Sequence, residues 1–178
     1  WRKAAALGHT LAQQNLGDCY RNGEGVRKDM EKAVEWYRKA AELGDAIAQC
    51  TLGARYGRGE GVGKDAEKAV EWYRKAAEQG HAHAQYNLGC CYADGEGVRK
   101  DAGKAVEWYR KAAEQGNAQA QYNLGDCYRR GEGVRKDVDK AVEWYRKAAE
   151  QGHAGAQFNL GVWYYNGDGV RQDDEKAV

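Results

Sequence analysis

The sequence predicts an all-α chain, an α/α solenoid of about five 36-residue helix-turn-helix repeats, and three observations predict it. Arg2, Arg38, Arg74, Arg110 and Arg146 each open the phrase Arg-Lys-Ala-Ala, so the chain repeats at a fixed period. Such a period belongs to architectures whose units bury their apolar faces only against neighbours. Within each period the apolar positions recur at helical spacing. Between them stand glycines, 24 in all, with no proline anywhere. That composition favours short helices separated by glycine turns.

In the first helix of a unit, Ala48, Gln49, Leu52, Gly53 and Tyr56 recur at the same phase in all five copies, spaced i, i+1, i+4, i+5, i+8. These positions form one helix face. Gly59-Glu60-Gly61-Val62 then carries two glycines suited to backbone angles that other residues resist, and predicts the turn. Asp65 follows where an N-cap belongs, its carboxylate accepting from free amides of a second helix over about 66–79. That helix sets Ala69, Trp72, Tyr73, Ala76 and Ala77 on one side and charged residues on the other. Glu71 and Lys75, like Glu35 and Lys39, Glu107 and Lys111, or Glu143 and Lys147, have the spacing of i,i+4 ion pairs. Gly80 closes the helix in the C′ position, and Asp45, His81 or Asn117 caps the next first helix. The chain thus divides as a single domain, 1–178, into repeats at 9–44, 45–80, 81–116, 117–152 and an incomplete 153–178, with 1–8 ending a preceding unit.

Ala84 to Gly89 (Ala-Gln-Tyr-Asn-Leu-Gly), Tyr92, Gly95 to Val98 (Gly-Glu-Gly-Val), Asp101, Lys104-Ala105-Val106, Trp108-Tyr109 and Lys111-Ala112-Ala113 together resemble the Sel1-like repeat, a relative of the tetratricopeptide repeat. Every unit carries nearly every element, so the resemblance covers the whole chain. It implies a right-handed superhelix of helix pairs serving as a non-catalytic adaptor for protein assembly, with the first helices lining a concave groove.

Charge and chemistry exclude several other classes. There are 28 basic and 27 acidic side chains, interleaved along every repeat, for a net charge of +1. A nucleic-acid binder needs a basic face, and the pairs Arg27-Lys28, Arg99-Lys100 and Arg135-Lys136 are each followed directly by aspartate. Nothing in the sequence is apolar enough to insert into a membrane. No serine and only Thr10 and Thr51 leave hydroxyl-nucleophile catalysis without material. Gly59 to Lys64 mimics a phosphate loop, but Asp65 stands where Ser or Thr belongs and no strand precedes it. His9, His81 and His153 share a phase too widely spaced for one metal, and acidic turns such as Asp94, Glu96 and Asp101, or Asp168 and Asp173, miss the calcium-loop spacing. No cofactor is expected. Cys19, Cys91 and Cys127 share one phase, while Cys50 and Cys90 stand alone. Some secreted members of the resembled family staple each repeat with a cysteine pair; this chain lacks that pattern, which fits free thiols and a reducing, cytoplasmic compartment.

The copies differ from one another mostly on the first helix. Leu11, Ile47, His83, Gln119 and Gly155 vary at one phase; Gln14, Cys50, Tyr86, Tyr122 and Phe158 at the next; then Asp18, Ala54, Cys90, Asp126 and Val162; then Asn22, Arg58, Asp94, Arg130 and Asn166. These phases form a stripe opposite the repeated core face. Apolar and aromatic residues on such a stripe mark an interaction surface or pack between adjacent first helices, and the sequence leaves both open. The candidate partner-binding residues are Ile47, Cys50, Arg58, Tyr86, Asn87, Asp94, Tyr122, Asn123, Arg130, Phe158 and Asn159. Tyr86, Tyr122 and Phe158 would anchor a peptide or protein partner, the three asparagines would donate to it, and Arg58, Arg130 and Asp94 would select charge. An alternative role is a structural spacer, or head-to-tail self-association through the uncapped ends at Trp1 and Val178.

Overall fold

The structure, a computed structural model, describes residues 2–166. A short helix, α1 (Arg2–Ala6), precedes four pairs: α2 (Thr10–Asn22) with α3 (Met30–Glu42), α4 (Ala46–Arg58) with α5 (Ala66–Glu78), α6 (Ala82–Asp94) with α7 (Ala102–Glu114), and α8 (Ala118–Arg130) with α9 (Val138–Glu150). The last described helix is α10 (Ala154–Asn166). Each helix packs on its neighbours in sequence, as an α/α solenoid requires.

Helix lengths are set by the signals at their ends. Asp29, Asp65, Asp101 and Asp137 accept from the amides of Lys32, Lys68, Lys104 and Lys140, so each second helix starts on a carboxylate cap. The same aspartates return their own amides to Tyr20, Tyr56, Tyr92 and Tyr128, which pins the loop that crosses from one helix to the next. First helices α4, α6 and α8 are capped by Asp45, His81 and Asn117. Each of α2, α4, α6 and α8 ends at a glycine in the left-handed region, such as Gly59 at φ +71°.

The repeated face is the core. Ala48, Leu52, Ala84, Leu88, Ala120 and Leu124 are fully buried, with Tyr73 and Tyr109 from the second helices among them. The close approach of paired helices needs a glycine at the crossing: a Cβ on Gly53 would lie 2.8 Å from the Tyr73 ring, and one on Gly89 would lie 2.6 Å from Tyr109.

Buried glutamines lock one unit to the next. Gln49 Nε2 donates to the Ala41 carbonyl of the preceding second helix, at 3.0 Å, while Gln79 Nε2 donates to Gln49 Oε1 at 2.7 Å. Gln115 with Gln85 and Gln151 with Gln121 repeat the pairing. Arg38, Arg74 and Arg110 add a second tie, each donating to the hydroxyl of the next unit's tyrosine, Tyr56, Tyr92 or Tyr128.

One expectation fails. The Glu71–Lys75 spacing yields no ion pair among the described residues. Instead Lys39, Lys75, Lys111 and Lys147 lie over Trp36, Trp72, Trp108 and Trp144, with Nζ 4.1–4.2 Å from the ring centroids. A half-buried indole face three residues away keeps the ammonium partly hydrated while covering apolar ring, a better arrangement than a solvated carboxylate.

Candidate interaction surface

The variable stripe on the first helices separates into a buried part and an open part. Cys50 is a correction: the residue expected to face a partner is buried between α4 and α6, where Asn87 Nδ2 reaches its Sγ at 3.9 Å. At this phase the next unit's first helix closes over the position, and a small thiol slides beneath it. Tyr86 and Tyr122 are half-buried. The Tyr86 ring lies 6.0 Å from that of Tyr109, and Tyr122 lies 5.5 Å from Tyr145 while stacking at 4.5 Å on His153 of the next unit. Burial pushes the Tyr86 hydroxyl up to about 12. Phe158, at the same phase on α10, is 72% exposed.

The asparagines turn inward as well. Asn87 is engaged with Cys50, the Asn123 amide opposes the burial effect at the hydroxyls of Tyr86 and Tyr109, and Asn159 does so at Tyr145. Each reaches back to the preceding unit, so these donors tie units together rather than standing free for a ligand. The reason is geometric: their phase points back toward the first and second helices of the preceding unit.

Charged rim positions remain open. Arg58 and Asp94 are exposed, with Arg58 only 4.0 Å from Glu60 at its nearest. Arg130 is exposed but pairs with Asp126 at 2.7 Å. On the N-terminal row, Leu11 is 63% and Ile47 51% exposed, followed by His83 and Gln119, which bond across to Asn117 and His153 at 3.2 and 3.1 Å. Among the described residues, the large exposed apolar side chains are Leu7, Leu11, Leu43, Ile47, Phe158, Val162 and Tyr165. All lie on a first helix or on the short turn entering one. The outer faces of the second helices carry Glu and Lys instead.

The thiols are shielded. Burial pushes Cys50 and Cys127 up to about 11 and Cys91 to about 12, and it raises Cys90 too. The five cysteines are free. Among the described residues no three His, Cys, Asp or Glu side chains come together as a metal site, and no helix is long and apolar enough to cross a membrane. The end-to-end contact expected of Trp1 and Val178, and the acidic turn at Asp168 and Asp173, lie outside the described residues.

Five successive units of this construction match the Sel1 repeat at residues 10–45, 46–81, 82–117, 118–153 and 154–178. The chain belongs to the Sel1 repeat family. A solved structure of a protective antigen present in uropathogenic Escherichia coli strains, displaying an SLR fold, is similar over 99% of this chain at 45% identity and a TM-score of 0.95. The chain spans only 38% of that protein's length. A Sel1 repeat protein from Oxalobacter formigenes is 42% identical, with a TM-score of 0.90, over 96% of this chain and 68% of its own. Helicobacter pylori cysteine rich protein B is 30% identical, with a TM-score of 0.58, over 75% of this chain and 96% of its own. No curated protein matches the chain in sequence. Sel1 repeat proteins are generally protein-interaction scaffolds and typically non-catalytic.

The sequence singled out Tyr86 and Tyr122 because they are aromatic, but their exposure depends on the side chains that the next unit sets against them. Leu11 and Val162 are open members of the same stripe that the candidate set leaves out, and only burial distinguishes them from their neighbours.

Proposed function

We propose that this Sel1 repeat chain is a non-catalytic scaffold that binds a peptide or protein partner across its first helices. The observation that carries the reading is the placement of exposed apolar side chains: Leu11 and Ile47 stand on first helices that further units follow, whereas the second helices expose lysine and glutamate. Apolar groups grouped on one face of a soluble solenoid favour burial by a partner, roughly 1.5–3 kcal/mol for each such side chain fully covered. Arg58 and Asp94 border that face and supply charge selectivity, while Tyr86 and Tyr122 hold the helices that present it.

The test compares capture by the native chain with capture by a Leu11→Ser, Ile47→Ser, Phe158→Ser variant of unchanged helicity. Loss of a partner from the variant alone supports the reading. Equal capture would move the binding site to the second helices or the turns.

A further inference from the structure

The tyrosine at the helix crossing has a fixed pattern of bonding that one unit breaks. Tyr37 donates its hydroxyl to Asp18 at 2.8 Å, Tyr145 to Asp126 at 3.2 Å and Tyr109 to the Cys90 sulfur at 3.5 Å. Those acceptors share one phase of the first helix. In the second unit that phase is Ala54, whose methyl accepts nothing. Tyr73 is only 9% exposed, yet its hydroxyl has no hydrogen-bond partner among the described residues. That hydroxyl is not sealed from solvent, so it keeps a free donor available to a ligand, which makes the position notable.

The same substitution opens a cleft. Ala54 and Gly57 on α4 are smaller than Asp126 and Arg129 at the matching places on α8. A cavity of about 190 Å³ results between α4 and α6, lined by Tyr73 of α5 together with Asn87 and Cys90. Arg58, Asp94 and Glu96 also line it. The intact units show what this environment accommodates. Asp126 takes the Tyr145 hydroxyl and pairs with Arg130, four residues on, at 2.7 Å; Asp18 takes Tyr37 and pairs with Arg21 at 3.0 Å. Arg58 follows Ala54 by the same four residues that separate Arg130 from Asp126. The second unit therefore keeps the phenol and the guanidinium but not the carboxylate that joins them.

We propose that this cleft receives a carboxylate of the bound partner, with the Tyr73 hydroxyl donating to it and the Arg58 guanidinium pairing with it. The proposal rests on the scaffold reading and specifies one acidic contact within it. A charge-assisted pair of this kind is stronger and more directional than a neutral contact. Asp94 and Glu96 carry the opposite preference, for a cation, so the test includes one.

The experiment is a nuclear magnetic resonance titration of the full chain, following the Tyr73 ring and Asn87 side-chain signals. The probes are N-acetyl-aspartate methylamide, which carries only a side-chain carboxylate, N-acetyl-alanine, which carries only a terminal one, and N-acetyl-lysine methylamide. A saturable shift with either carboxylate probe is the expected result, and which of the two binds more tightly identifies the source of the group. Tyr73→Phe should weaken that binding roughly 10-fold or more, the loss of a hydrogen bond to a charged group. Ala54→Asp should abolish it by supplying the carboxylate internally, and should raise the melting temperature. A response to the lysine probe alone, no response to any probe, or equal carboxylate binding by both variants would overturn the proposal. Partner capture by the native chain and by Tyr73→Phe is scored separately, so the scaffold reading survives if only the cleft fails.

Discussion

Gln13 and Leu43 mark the one break in the glutamine relay among the described residues. Gln13 donates to the Ala5 carbonyl at 3.1 Å, but its own Oε1 is buried with no donor, because Leu43 occupies the place that Gln79, Gln115 and Gln151 hold in later units. Leu43 gains nothing in exchange, since it is exposed.

Replacing that leucine should repair the relay. Leu43→Gln is expected to stabilise the chain by about 1 kcal/mol, the net worth of one satisfied hydrogen bond, and to raise the melting temperature by roughly 2–4 °C. Thermal unfolding followed by circular dichroism checks this; an unchanged or lower midpoint would show that Gln13 Oε1 is already hydrated.

Helix crossings tolerate no added carbon. Gly53→Ala places a Cβ 2.8 Å from Tyr73 and 3.1 Å from the Ala69 carbonyl, so it should cost about 1–3 kcal/mol in overpacking. Gly97→Ala should cost at least as much, since its Cβ would collide with the Ala66 carbonyl and its φ is +67°. Gly63→Ala is the control: nothing lies within 4 Å of the new methyl, and denaturant unfolding should show no loss.

The histidine cap makes stability depend on pH. His81 Nδ1 accepts from the Ala84 amide, which only the neutral ring can do, and burial, followed by the nearby His83, holds its pKa below the ordinary 6.5. The unfolded chain therefore binds the proton more readily than the folded one. This contribution is fully present above about 6.5 and is lost as pH falls from there through the lower folded value. His81→Asn, which copies the cap of Asn117, should flatten this part of the stability–pH curve; an identical slope in both proteins would refute the assignment.

Buried thiols should react slowly. With Cys50 and Cys127 pushed from 9.0 to about 11, the thiolate fraction at neutral pH falls about 100-fold. Disulfide-exchange reagents should label these positions far more slowly than an unfolded control, with rates still climbing beyond pH 9. Rapid labelling of Cys50 or Cys127 in the folded chain at pH 7, located by peptide mapping, would contradict their shielding.

Much of this architecture is legible before any coordinates. The aspartate caps, the left-handed glycines and the core row of Ala48, Leu52 and Tyr56 follow from period and spacing, because capping and helical periodicity are local properties. The interaction surface is less legible. Cys50 and Tyr86 share one phase, yet one is buried and one half-buried, since each depends on the side chains that the next unit sets against it. Likewise Ala54 reads as an unremarkable helix residue until Tyr73 is seen beneath it with its hydroxyl unpaired.

Residue order alone sets the repeat, the helix pairs, the caps and the family. Those features are encoded in residue spacing along one helix or one turn. Packing between units settles which variable residues meet solvent, that the asparagines and glutamines bind units to one another, and that the second unit carries a cleft. Those outcomes arise from side chains 30 and 37 residues apart meeting in space, where burial and hydrogen bonding depend jointly on both partners.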